Sequence, residues 1–103
     1  METAIEQALN VTLDNWSALS RASQDDAEEL ADGFEASFYQ LVDAVRAWYA
    51  ALDPRPATLE QLMAMPLIES LADRLPAPLY LNFETEAELM IDNIEREDEE
   101  RYD

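Results

Sequence analysis

Carboxylates are the only abundant reactive groups in this chain, and they come without the partners most enzymes give them. Twenty-four Asp and Glu stand against six bases, all of them arginine, for a net charge of −18, and there is no histidine, cysteine or lysine. The commonest general base and zinc ligand is therefore absent. Thiolate metal sites, cysteine nucleophiles and disulfides are absent as well. Serine, threonine and tyrosine are present, but none has a neighbouring base to activate it. No phosphate loop, dinucleotide glycine pattern, EF-hand loop or nucleophile elbow occurs. The residues point to no catalytic, cofactor-binding or metal site, and the expectation is a protein that is not an enzyme.

What a charge of −18 can do is act at a distance. It repels nucleic acid and anionic membrane and attracts cationic surfaces, so the expected partner is a basic protein surface, with neither direct nucleic-acid nor membrane binding. The acids are densest in residues 84–103, where ten carboxylates face two arginines for a net of −8. At the C-terminal end of a helix such acids oppose the macrodipole, so they gain nothing from their own helix. Glu88, Asp92, Glu95, Glu97, Asp98, Glu99, Glu100 and Asp103 are accordingly the candidate partner-binding residues. Rows such as Glu28, Asp32 and Glu35, or Glu84, Glu88, Asp92 and Glu95, space negative charge at helical steps. The reading is a non-enzymatic interaction module of the inhibitor or DNA-mimic, immunity or antitoxin, or small-chaperone type. The plainer explanation is a solvated terminus, or an acidity that only adapts the chain to a salty solvent.

One competing chemistry remains. Glu28, Glu29 and Asp32, taken with Glu88 and Asp92, resemble the helical ExxE and ExxD ligands of the all-α nucleotide pyrophosphohydrolases. That resemblance implies Mg²⁺ bridging carboxylates to a di- or triphosphate. It covers five positions. The two groups are farther apart in sequence than in that family, and its phosphate-holding lysines have no counterpart here.

The elements that must carry these acids are helical. In 103 residues there is room for one modest core. The organising run is residues 23–52, where Ala27, Leu30, Phe34, Phe38, Leu41, Val45, Trp48 and Leu52 recur at steps of three or four. Gly33, the only glycine, lies inside it as a kink, a close helix crossing or a break into two helices; the stripe keeps its phase on both sides, which favours one continuous helix. A first helix over residues 4–19 follows from Ile5, Leu9, Leu13, Trp16 and Leu19, with Thr3 and Glu6 as a capping box. Its short link to the long helix predicts an antiparallel hairpin. Ser23 with Asp26 reads as the next cap, and Asp53-Pro54-Arg55-Pro56 ends the long helix.

Thr58 with Gln61 caps a short helix, and Pro66 opens another to about residue 75. Pro76 and Pro78 then predict an extended segment in which Leu79, Leu81 and Phe83 alternate with Tyr80 and Asn82. Thr85 and Glu88 form a capping box for a final helix whose apolar stripe stops at Ile94. The expected fold is an all-α bundle of four to five helices, with one long central helix and a short extended segment before the last. Residues 1–94 form a single helical domain, and residues 95–103 an acidic C-terminal extension of the last helix. Tyr39, Val42, Leu79, Leu81 and Phe83 are the expected faces of a homodimer. The polar, acidic start lacks the marks of a secretory leader, and no run reaches the roughly 18 apolar residues of a membrane span, so a cytoplasmic location is expected.

Overall fold

A computed structural model gives the backbone of residues 3–100 and the side chains of residues 3–92. Among the described residues all regular structure is helical: α1 (Thr3–Ser20), α2 (Gln24–Ala50), α3 (Leu59–Met63), α4 (Pro66–Arg74) and α5 (Ala77–Glu100). Contacts divide the chain into two compact units, Met1–Val45 and Arg46–Asp103.

In the first unit the expected hairpin forms, and polar groups join its two helices. Ile5 and Leu9 of α1 and Phe38, Leu41, Val42 and Val45 of α2 are buried, as their three- and four-residue steps require. Thr12 is buried too, and its hydroxyl is shared between the Ala8 carbonyl one turn back, at 2.7 Å, and the Ser37 carbonyl of α2, at 3.1 Å. Asn15 donates through Nδ2 to Ser37 Oγ at 3.1 Å and to the Gly33 carbonyl at 3.4 Å. Ser37 Oγ in turn donates to the Phe34 carbonyl at 2.7 Å. No buried side-chain polar atom among the described residues lacks a partner, so these groups fix the hairpin register without an uncompensated desolvation cost.

The end of α1 shows why the link is short. Its last carbonyls have no intrahelical donors, and side chains and tightened turns supply them. The Ser17 carbonyl accepts from Arg21 Nε at 3.3 Å. The Ala18 and Leu19 carbonyls accept from the amides of Arg21 and Ala22, each at 3.2 Å. At the start of α2 the Ser23 carbonyl accepts from the amides of Asp26 and Ala27, while the Ser23 hydroxyl donates to the Asp26 carboxylate at 3.2 Å.

Helix α2 runs unbroken through Gly33. A Cβ built there meets nothing within 4 Å, so the glycine does not serve a close helix crossing, and its φ is not positive. It therefore brings only the entropic cost of glycine in a helix. Gly33→Ala is expected to raise stability by about 0.5–1 kcal/mol, read as a higher urea midpoint with an unchanged slope. A loss of stability would mean that the helix needs glycine here for a reason the geometry does not contain.

In the second unit Thr58 caps α3, its Oγ1 accepting from the Gln61 amide at 3.2 Å. Gln61 Oε1 completes the motif one residue earlier than the standard capping box, accepting from the Ala57 amide at 3.0 Å. Pro66 is at the first position of α4, where its missing N–H costs nothing. Helix α3 packs on α4 and α5, and Leu62, Ile68 and Leu71 are buried. Tyr49, near the end of α2, is also buried, and its hydroxyl donates to the Pro56 carbonyl at 2.6 Å.

The extended segment expected before the last helix is not there. Residues 79–83 belong to α5, which begins at Ala77. Pro76 lies outside the helix, and its carbonyl accepts the Tyr80 amide at 2.9 Å, the first i→i+4 bond. Pro78 falls in the opening turn, where its amide would have had no acceptor anyway. The apolar residues Leu79, Phe83, Ala87, Met90 and Ile91, at steps of four, four, three and one, are buried. Thr85 is therefore not a cap. It lies mid-helix with its hydroxyl donating back to the Leu81 carbonyl at 3.2 Å.

Candidate interaction surface

Every Asp and Glu whose side chain is described is exposed except Glu84 and Glu86, which are half-buried. The arrangement follows from helical geometry. On α5 the buried residues occupy one sector of about 120°; Glu84 and Glu86 fall just outside its two edges, and Glu88 and Asp92 on the far side. On α2 the sequence Glu28, Asp32, Glu35 and Asp43 runs along an exposed stripe, with Tyr39 within it.

The charge is shared evenly between the units. Residues 1–45 hold ten acids against one arginine, and residues 46–103 hold fourteen against five, a net of −9 each. In the first unit the one cation, Arg21, directs its Nε to the Ser17 carbonyl. Helix α2 carries seven carboxylates from Asp25 to Asp43 and one base, Arg46, near its C-terminal end.

Of the candidate partner-binding residues, Glu88 and Asp92 lie on the outer side of α5, exposed. Glu95, Glu97, Asp98, Glu99 and Glu100 belong to the same helix by their backbone, while their side chains lie outside the described residues; Asp103 lies outside them altogether. The candidate dimer residues divide. Val42, Leu79 and Phe83 are buried within the chain itself, whereas Tyr39 and Leu81 are exposed. Leu79 and Phe83 do not share a face with Leu81 as they would on a strand, because in a helix residues two apart point to opposite sides.

The carboxylates singled out for Mg²⁺ divide between elements, with Glu28, Glu29 and Asp32 on α2 and Glu88 and Asp92 on α5. Among the described residues, no three acidic side chains are grouped closely enough to hold a metal ion. The aromatic rings act in packing: Trp16, Phe34, Phe38 and Tyr39 form successive contacts, with centroids 5.4, 6.2 and 5.7 Å apart.

Leu81, named as a dimer candidate, and Leu89, which the sequence reading did not single out, stand on the outside of α5, 65% and 47% exposed. A helical projection begun at Leu79 instead of Thr85 puts Leu81 and Leu89 eight residues apart on one side of the same helix. Among the described residues, no helix is long and apolar enough to cross a membrane. No protein-family model matches the chain, and no curated protein or solved structure is significantly similar to it.

Proposed function

We propose that this protein is a non-enzymatic interaction module whose partner presents a basic surface. The observation that carries the reading is the outward placement of the described carboxylates on helices. Acids turned inward around a polar pocket would favour chemistry on a bound cation; acids on exposed helix faces favour long-range attraction and register with a cationic surface. Successive acids along one helix face are about 6 Å apart along its axis, so the charges are held in a fixed pattern and do not act as a diffuse cloud.

The test is association at two ionic strengths. The full chain, immobilised, is exposed to host lysate at low and at high salt, beside a variant carrying Glu84→Gln, Glu88→Gln and Asp92→Asn. Retention of specific basic proteins at low salt, lost at high salt and weakened in the variant, is expected, because exposed charges farther apart than a Debye length are screened. Capture that ignores both ionic strength and the three substitutions contradicts the proposal.

A further inference from the structure

The outer side of α5 carries more than charge. Leu81 is 65% exposed and Leu89 47% exposed, and both lie away from the buried sector of Leu79, Phe83, Ala87 and Met90. Eight residues separate them, which on a helix is about 12 Å along the axis and about 80° around it. Glu84, half-buried, and Glu88 and Asp92, exposed, lie along the neighbouring strip of the same helix. Single exposed leucines are ordinary on protein surfaces. Two on one helix face, bordered by a file of carboxylates, match the complement of a particular ligand: a helix with leucine-like residues on one side and lysine or arginine beside them.

We infer that the outer face of α5 is a docking surface for a basic amphipathic helix, with Leu81 and Leu89 as apolar anchors and Glu84, Glu88 and Asp92 setting its orientation. The inference rests on the proposal that the partner is basic, and it adds the partner's secondary structure and the face that receives it. Charge selects this occupant over a second copy of the chain. Self-pairing through α5 would set Glu84, Glu88 and Asp92 against their own copies in a molecule of charge −18, whereas a cationic helix neutralises them. The binding mode is that of a helix laid along a partly apolar face, where the apolar anchors supply affinity and the charges supply alignment and association rate.

The experiment uses two fluorescently labelled peptides built only of leucine and lysine, identical in composition. One has its leucines at amphipathic helical spacing, and the other is scrambled so that no face is apolar. Fluorescence anisotropy with the full chain at low salt is expected to show the amphipathic peptide binding at least about ten-fold more tightly than the scrambled one. Leu81→Ser combined with Leu89→Ser is expected to erase that preference while leaving binding of the scrambled peptide unchanged. Because both leucines are exposed, circular dichroism of this variant should match the parent.

Equal binding of both peptides, indifferent to the leucine substitutions, would overturn the docking surface and leave the basic-partner proposal standing. Failure of both peptides to bind at low salt would remove both proposals. Light scattering supplies a further outcome: a dimer of the parent chain that Leu81→Ser dissociates would make a second copy the occupant and overturn the inference.

Discussion

Phe83→Ala is expected to lower the unfolding free energy by about 3–5 kcal/mol, while Leu81→Ala two residues away changes it by less than about 0.5 kcal/mol. The contrast follows from helical geometry. Phe83 has no exposed surface and Leu81 is 65% exposed, because a separation of two residues turns a helix by roughly 200°. An aromatic ring removed from a closed interior loses its transfer free energy and leaves a cavity that neighbours fill only in part. Small domains have about 5–15 kcal/mol of stability in all, so the Phe83 variant should be close to unfolding at room temperature. Urea titrations followed by far-UV circular dichroism measure both variants. Comparable losses in the two would mean that residues 79–83 do not form a helix with one buried side.

The second large effect is expected at Tyr49. This ring is 2% exposed, and its hydroxyl reaches across to the Pro56 carbonyl at 2.6 Å, tying the end of α2 to the proline-containing connection that follows. Tyr49→Ala should cost about 3–5 kcal/mol, since it empties a ring-sized volume. Tyr49→Phe keeps the ring and removes only the donor, so its cost should be about 1 kcal/mol. The difference between the two variants in thermal or urea unfolding separates packing from hydrogen bonding. If Tyr49→Phe proved as damaging as Tyr49→Ala, the hydroxyl and not the ring would be the important contact.

Much of this architecture could be read directly from residue spacing. The first helix was expected over residues 4–19 and runs Thr3–Ser20; the long helix was expected over 23–52 and runs Gln24–Ala50. Both carry long apolar stripes of constant phase, and prolines mark the links after α2, α3 and α4. Thr58 and Pro66 also act where their side chains dictate, one as a cap acceptor and one as a residue whose missing amide is harmless at a helix start.

The failure at residues 79–83 has a definite physical origin. Leu79, Leu81 and Phe83 satisfy an alternating pattern, but Leu79, Phe83 and Ala87 satisfy a step of four just as well, and a short apolar run does not separate the two periods. Two prolines nearby weighted the reading toward extended chain, although proline in a first helical turn is favourable. Thr85 with Glu88 then supplied a false start. Capping-box composition is not sufficient, since a threonine within a helix can direct its hydroxyl to the carbonyl four residues back. The same error grouped Leu81 with the buried Phe83, because a strand reading places the two on one face, and so separated it from Leu89.

The candidate surface was legible in composition and less so in position. Acids belong outside on solvation grounds alone, so the exposure of Asp25 to Glu35 on α2 needed no structure. Which acids share a face with exposed apolar groups depends on the start of α5, and that start was misplaced.

The even sharing of negative charge has a consequence for the solvent. With one arginine among its first forty-five residues, and that side chain turned to a main-chain oxygen, the first unit carries almost no cation of its own to offset its carboxylates. The negative charge left over draws dissolved sodium, potassium or magnesium, which gather around the folded chain more densely than around the expanded one. The native state is therefore a thermodynamic sink for small cations, and the composition of the buffer enters its folding equilibrium as directly as a side chain does.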